Sequence, residues 1–168
     1  MELIDEIEEL IMMHQEGSYW DFKREWYDDS KDGDLLIDII CMANNLVDRD
    51  AYIIIGVNEE CDYAIHDVSQ DANRRNTQML TDFIRGKKFA GDFRPVVTVE
   101  QVHLDGGLVD VIVVHNSINT PYYLKEKYDN RFPAVHIWMF DPQYWHRALR
   151  LVGRLTICDW QKQRDMRV

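Results

Sequence analysis

Four charged residues stand at points where changes of chain direction can bring them together: Glu16, Asp21, Lys23 and Glu59. Glu16 falls at a helix-to-strand junction, Asp21 on the polar face of the short strand that follows, and Glu59 at the exit of a buried strand. Three carboxylates converging from separate elements suit Mg²⁺ or Mn²⁺, which take hard oxygen ligands and keep positions for water and phosphate oxygens. An ion held in this way lowers the pKa of a bound water and stabilises charge on a phosphate under in-line attack. Lys23, on the same strand face as Asp21, would steady the developing negative charge. The chain carries 30 Asp and Glu in all, and solvated acids at strand ends are ordinary, so spacing alone leaves both readings open.

The elements that must position these residues are legible. Leu35 to Val47 is apolar nearly all round, with Leu36, Ile39, Ile40, Ala43 and Val47 at helical spacing, which predicts a buried helix. After the polar break Asp48 to Asp50, the β-branched run Ile53 to Ile55, closed by Gly56, predicts a central strand that delivers Asn58, Glu59 and Glu60 to its end. Upstream, Glu2 to His14 reads as an amphipathic helix stopped near Gly17. Tyr19 to Lys23 alternates as a strand, with Trp20 and Phe22 on one face and Asp21 and Lys23 on the other.

Asp28 to Asp34 reads as a loop leading to an N-cap near Asp32, and Cys61 to Asp71 as irregular. Asn73 to Arg85 reads as a second amphipathic helix stopped by Gly86. Pro95 to Leu104 and Leu108 to His115 form a hairpin around Asp105-Gly106-Gly107. Asn116 to Pro121 is a turn, Ala134 to Met139 a further strand, and Asp141-Pro142 opens a last helix from Gln143. The order predicts a single α/β (α+β) domain over 1–168, with helices flanking a mixed sheet and a C-terminal helix and basic tail over 141–168.

Composition narrows the function. The net charge is −11, whereas a nonspecific DNA binder normally carries a basic stripe. Any nucleic acid must therefore meet a local patch or a bridging metal ion. Cys41, Cys61 and Cys158 are far apart and odd in number, which suits a reducing cytoplasm, with Cys41 as a small core residue. The N-terminus is acidic rather than signal-like, and no stretch reaches the roughly 18 to 20 apolar residues of a membrane span. Gly86-Lys87 lacks the rest of a phosphate-binding loop, the six histidines show no paired metal spacing, and no nucleophile elbow appears.

Three segments together carry a family likeness. Glu16-Gly17-Ser18-Tyr19-Trp20-Asp21-Phe22-Lys23 is similar to the ExxxxEFK opening of the Schlafen-type AlbA-like domain. Met42-Ala43-Asn44-Asn45, followed by Ile53 to Glu59, resembles that family's AFANT…GG…LLIGVDD segment. Val113 to Tyr123, with Ser117, Pro121, Tyr122 and Tyr123, resembles its V…S…PYY stretch, so the likeness runs from about Glu16 to Met139. It implies an α/β fold and a nucleic-acid-handling role. In ribonuclease members, acids at the positions of Glu16, Asp21 and Glu59 form a divalent-metal site that cuts tRNA and rRNA. Departures accompany it: Asp21 stands for the usual Glu, Glu59 for Asp, an acidic loop replaces the Gly-Gly, and His136 falls where an Arg is usual.

Basic clusters at Arg74-Arg75, Arg85-Lys87-Lys88-Arg94 and Arg147-Arg150-Arg154 could meet RNA, and Tyr122, Tyr123 and Tyr128 could stack bases. Each is equally readable as a solvated face or a core tyrosine. The leading expectation is a cytoplasmic, Mn²⁺- or Mg²⁺-dependent endoribonuclease acting on structured RNA such as tRNA, working as a homodimer. One alternative is a non-catalytic DNA- or RNA-binding or regulatory module. Another is an acidic protein-interaction domain, which the charge of −11 favours.

Overall fold

The alternation Trp20-Asp21-Phe22-Lys23 decides how the first strand sits. A computed structural model describes residues 2–125 of the chain. In it, β1 (Trp20–Lys23) pairs in parallel with β2 (Ala51–Ile55), with Asp21 opposite Ile53 and Lys23 opposite Ile55. β2 pairs antiparallel with β6 (Gly107–Val114), which pairs antiparallel with β5 (Val97–Leu104). Among the described residues the sheet order is thus β1-β2-β6-β5, mixed in direction, with the site strand β1 at an edge.

Two apolar layers follow from the period of two. Trp20, Phe22, Tyr52 and Ile54 face α1 (Leu3–Met12), where they pack with Ile7 and Leu10. Ile53, Ile55 and Ile112 face the opposite way, onto α2 (Asp32–Ala43) and α3 (Thr77–Arg85), meeting Leu35, Leu36, Ile39, Leu80 and Ile84. All five residues of β2 are buried, as a β-branched run enclosed on both faces requires. Each such side chain contributes roughly 1.5–3 kcal/mol on burial. The sheet between helices confirms an α+β domain.

Several boundaries differ from the sequence reading. Asp32 begins α2 rather than capping it; a 3₁₀ turn over Asp29–Lys31 precedes it, with the Asp28 side chain accepting from Ser30 N at 2.8 Å. α3 starts at Thr77, because Asn76 caps it by accepting from Met79 N at 2.9 Å. The stretch expected to be irregular contains β4 (Ala64–Ile65), which pairs with β3 (Val57–Asn58) in a two-stranded ribbon. Two residues per strand are too few for a period to be visible. Cys41 is half-buried on α2 rather than fully in the core. The expected strand Ala134 to Met139 and the helix from Gln143 lie outside the described residues.

Two glycines set the approaches to β1 and from β2. Trp20 lays its indole over Gly17, so close that a Cβ there would sit 2.1 Å from the ring, and Trp20 Nε1 donates to Gln15 O at 2.8 Å. Gly56 has φ +113°, open to glycine at little cost, and a Cβ there would meet His66 O at 2.9 Å. Its N–H donates to Lys23 O at 2.7 Å, which locks the end of β1 to the exit of β2.

Candidate functional site

That lock brings Lys23 beside the turn that carries Glu59. From Gly56 the chain runs through β3 into a 3₁₀ turn over Glu59–Cys61, fixed by the Asn58 side chain accepting from Glu60 N at 3.2 Å. Asp21 and Lys23 share the face of β1 turned toward α2. Asp21 is buried at 6% exposure, and the Lys23 ammonium donates to its Oδ2. The other oxygen, Asp21 Oδ1, is buried with no hydrogen-bond partner among the described residues. Such an atom is rare, because an unpaired buried acceptor costs about 1–3 kcal/mol.

A third acid joins from α2. Lys23 Nζ lies 3.6 Å from Asp38 Oδ2, and the same Oδ2 accepts from the Tyr27 hydroxyl at 2.6 Å. Burial alone would lower the Lys23 pKa, but Asp38 first, then Asp21 and Glu59, outweigh burial and raise it. Asp38 is also pushed up, by burial and by Asp21 and Asp34, against the pull of Lys23 and the Tyr27 hydroxyl. Both partners of one ion pair move up for different reasons: Asp38 because it is buried beside other acids, and Lys23 because, among the described residues, its one ammonium faces three carboxylates. The lysine is over-supplied with negative charge and each acid is under-supplied with positive charge. Glu59 is raised as well, by burial and then Asp21, with Lys23 opposing; its exposure to solvent keeps that effect small. Tyr27 is raised well above the usual phenol range by burial and by Asp38.

Of the expected residues, the structure therefore joins Asp21, Lys23 and Glu59 in one electrostatic group. Glu16 sits half-buried in the connection between α1 and β1. Among the described residues, no three His, Cys, Asp or Glu side chains come together as a metal-holding group. What the donor set offers a divalent ion is the unpartnered oxygen of Asp21 and the neighbouring Glu59, and one or two carboxylates with water and phosphate oxygens are a usual Mg²⁺ complement. Asp38 and Tyr27 escaped the sequence reading. The signal for Asp38 was there: one acid inside the apolar run Leu35 to Ile40.

The expected RNA-facing clusters fare unevenly. Arg74 is engaged internally, its guanidinium gripping Asp110 through Nε and Nη2 at 2.8 Å each. Arg75 pairs with Asp32 at 2.6 Å and lies over the Phe83 ring. The second cluster is outward-facing but partly matched: Arg85 pairs with Asp82 at 3.2 Å, and Lys87 sits 4.1 Å from the Phe83 ring centroid. Tyr122 is a core residue at 3% exposure, its N–H donating to Asn44 Oδ1 at 2.7 Å, and is not a stacking platform. Arg147, Arg150, Arg154, Tyr128 and His136 lie outside the described residues. A cavity of about 360 Å³ opens among Glu25, His66, Asp67, Gln70, Asp71 and Asn73, and none of the expected site residues lines it. Among the described residues, no helix is long and apolar enough to cross a membrane.

A mixed sheet between helices, with a buried, charge-rich cluster on its edge strand, defines a small α+β domain built around a polar site. The sequence pattern of the family described as Schlafen, AlbA_2 matches residues 16–139, and the chain belongs to that family. The match begins at Glu16 and covers Asp21, Lys23 and Glu59, and it points to a nucleic-acid-related domain. Comparison with curated proteins finds no match to the chain.

Proposed function

We propose that this domain hydrolyses phosphodiester bonds in structured RNA such as tRNA, with Mg²⁺ or Mn²⁺ held by Asp21 and Glu59. The observation that carries the reading is the buried, unpartnered Oδ1 of Asp21, in a group where three carboxylates share one ammonium. Excess negative charge out of water is costly unless a cation offsets it. A divalent ion there would supply a water of lowered pKa and offset charge on the phosphate. Two protein carboxylates suffice, so the reading does not depend on Glu16 as a ligand. Lys23, held against Asp21, presents a fixed positive group to a phosphate oxygen. With a net charge of −11, the whole-protein field does not draw RNA in, so contacts fall to local cations such as Arg85, Lys88 and Arg94.

Incubating tRNA with the protein and Mn²⁺ tests this. Cleavage should require the ion, stop with EDTA, and fall by about 10²-fold or more in Glu59→Ala while the circular dichroism stays unchanged. Cleavage that survives both treatments overturns it. A non-catalytic nucleic-acid-binding module is the second reading, favoured by the lack of a three-ligand group among the described residues. It predicts a gel shift with tRNA that Glu59→Ala leaves intact. A homodimer would give such a small domain a longer channel, and light scattering reads that directly.

A further inference from the structure

We propose that Asp38, braced by the Tyr27 hydroxyl, is the positioning residue that fixes where the Lys23 ammonium stands over Asp21. Three elements meet in this contact: Lys23 from the end of β1, Tyr27 from the connection that follows, and Asp38 from the middle of α2. One oxygen, Asp38 Oδ2, takes both the Tyr27 hydroxyl at 2.6 Å and the approach of Lys23 Nζ at 3.6 Å. The Lys23 side chain is 30% exposed and those of Asp38 and Asp21 are 20% and 8% exposed, so the ammonium enters from the solvent side of the acids.

A lysine is a compact charge on a flexible four-carbon stem, and a single carboxylate leaves it free to pivot. Held by Asp21 alone, the ammonium can slide across both carboxylate oxygens and cover Oδ1. A second anchor on α2 draws it toward Asp21 Oδ2, where it is found, and leaves Oδ1 without a partner among the described residues. Tyr27 in turn keeps Asp38 from swinging away. In this arrangement Asp38 touches neither phosphate nor metal and acts only through Lys23. Its importance as a positioning residue rests on the reading of Asp21 and Lys23 as the working site, but the anchoring itself does not.

Two measurements separate these layers. In metal-free protein, ¹H–¹⁵N correlation of lysine NH₃⁺ groups should give a slowly exchanging Lys23 signal, identified by its loss in Lys23→Met. Asp38→Asn should broaden that signal away, Asp38→Glu should restore it in part, and Tyr27→Phe should weaken it. An unchanged Lys23 signal in folded Asp38→Asn overturns the proposal; if that variant does not fold, an unchanged signal in Tyr27→Phe does so. In Mn²⁺ titrations, Asp38→Asn should weaken binding by about tenfold in the native background and not at all in Lys23→Met. Equal loss in both backgrounds overturns the proposal, because Asp38 would then act without Lys23. If the native protein takes up no Mn²⁺, the hydrolytic reading fails and the NH₃⁺ signal alone decides the anchor.

Discussion

Two buried aspartates on the same sheet have opposite surroundings. Asp110, in β6, is 1% exposed; Arg74 grips it through two nitrogens at 2.8 Å, and the Trp26 indole donates to it at 2.7 Å. Asp21, in β1, is 6% exposed, but among the described residues it has only the Lys23 ammonium, on one oxygen, and its other, buried oxygen has no partner. Asp110 faces a planar fork that matches a carboxylate, whereas Asp21 faces a point charge that Asp38 also claims. A fully matched buried carboxylate ties loops to a sheet, and an under-matched one is poised to take another cation. Position adds to the contrast: among the described residues Asp110 lies on an interior strand and Asp21 on an edge strand.

The largest expected effect tests the matched member. Asp110→Ala leaves Arg74 and Trp26 without their acceptor and should cost about 3–5 kcal/mol in urea denaturation; a loss under about 1 kcal/mol would erase the distinction. Trp26→Phe removes the indole donor and one of two fused rings from a buried site, so it should cost about 2 kcal/mol. Asp21→Asn should change stability by less than about 1 kcal/mol, because Lys23 keeps Asp38 and the crowding of like charges is relieved. A loss matching that of Asp110→Ala would make Asp21 a structural residue.

The smallest effect is a pH dependence. Glu59 is raised in the folded state, so between the ordinary carboxyl pKa and the raised one the folded chain binds more protons than the unfolded chain. Stability therefore falls as pH climbs through that window. Glu59→Gln should remove the fall, gaining on the order of a few tenths of a kcal/mol near pH 7 because the group is exposed. The gain should vanish below the ordinary glutamate value of 4.5. Thermal melts across acid pH read it, and a gain that grows toward low pH would contradict the sign.

The strand alternation that puts Asp21 and Lys23 on one face was legible because a period of two survives even in four residues. The apolar helix and the β-branched strand were equally plain, and β2 does deliver Glu59 to the Lys23 end of β1. Hidden from the sequence were the partners that matter across the fold. Asp38 and Asp110 each sit alone inside an apolar run, but nothing local says that one will meet a lysine and the other an arginine 36 residues away. The Arg74-Arg75 pair looked like a nucleic-acid contact for the same reason: composition shows the charge and not the acid that takes it up. Glu16 shows the converse limit, since spacing brought it near Asp21 in sequence without making a three-ligand group among the described residues.

The most direct test of the contrast is an Mn²⁺ titration of the native protein and of Asp21→Asn, followed by electron paramagnetic resonance of free Mn²⁺. The native chain should take up a single ion that Asp21→Asn loses with its circular dichroism unchanged. No uptake by the native chain, or equal uptake by the variant, would contradict the claim that Asp21 is an unfilled cation ligand.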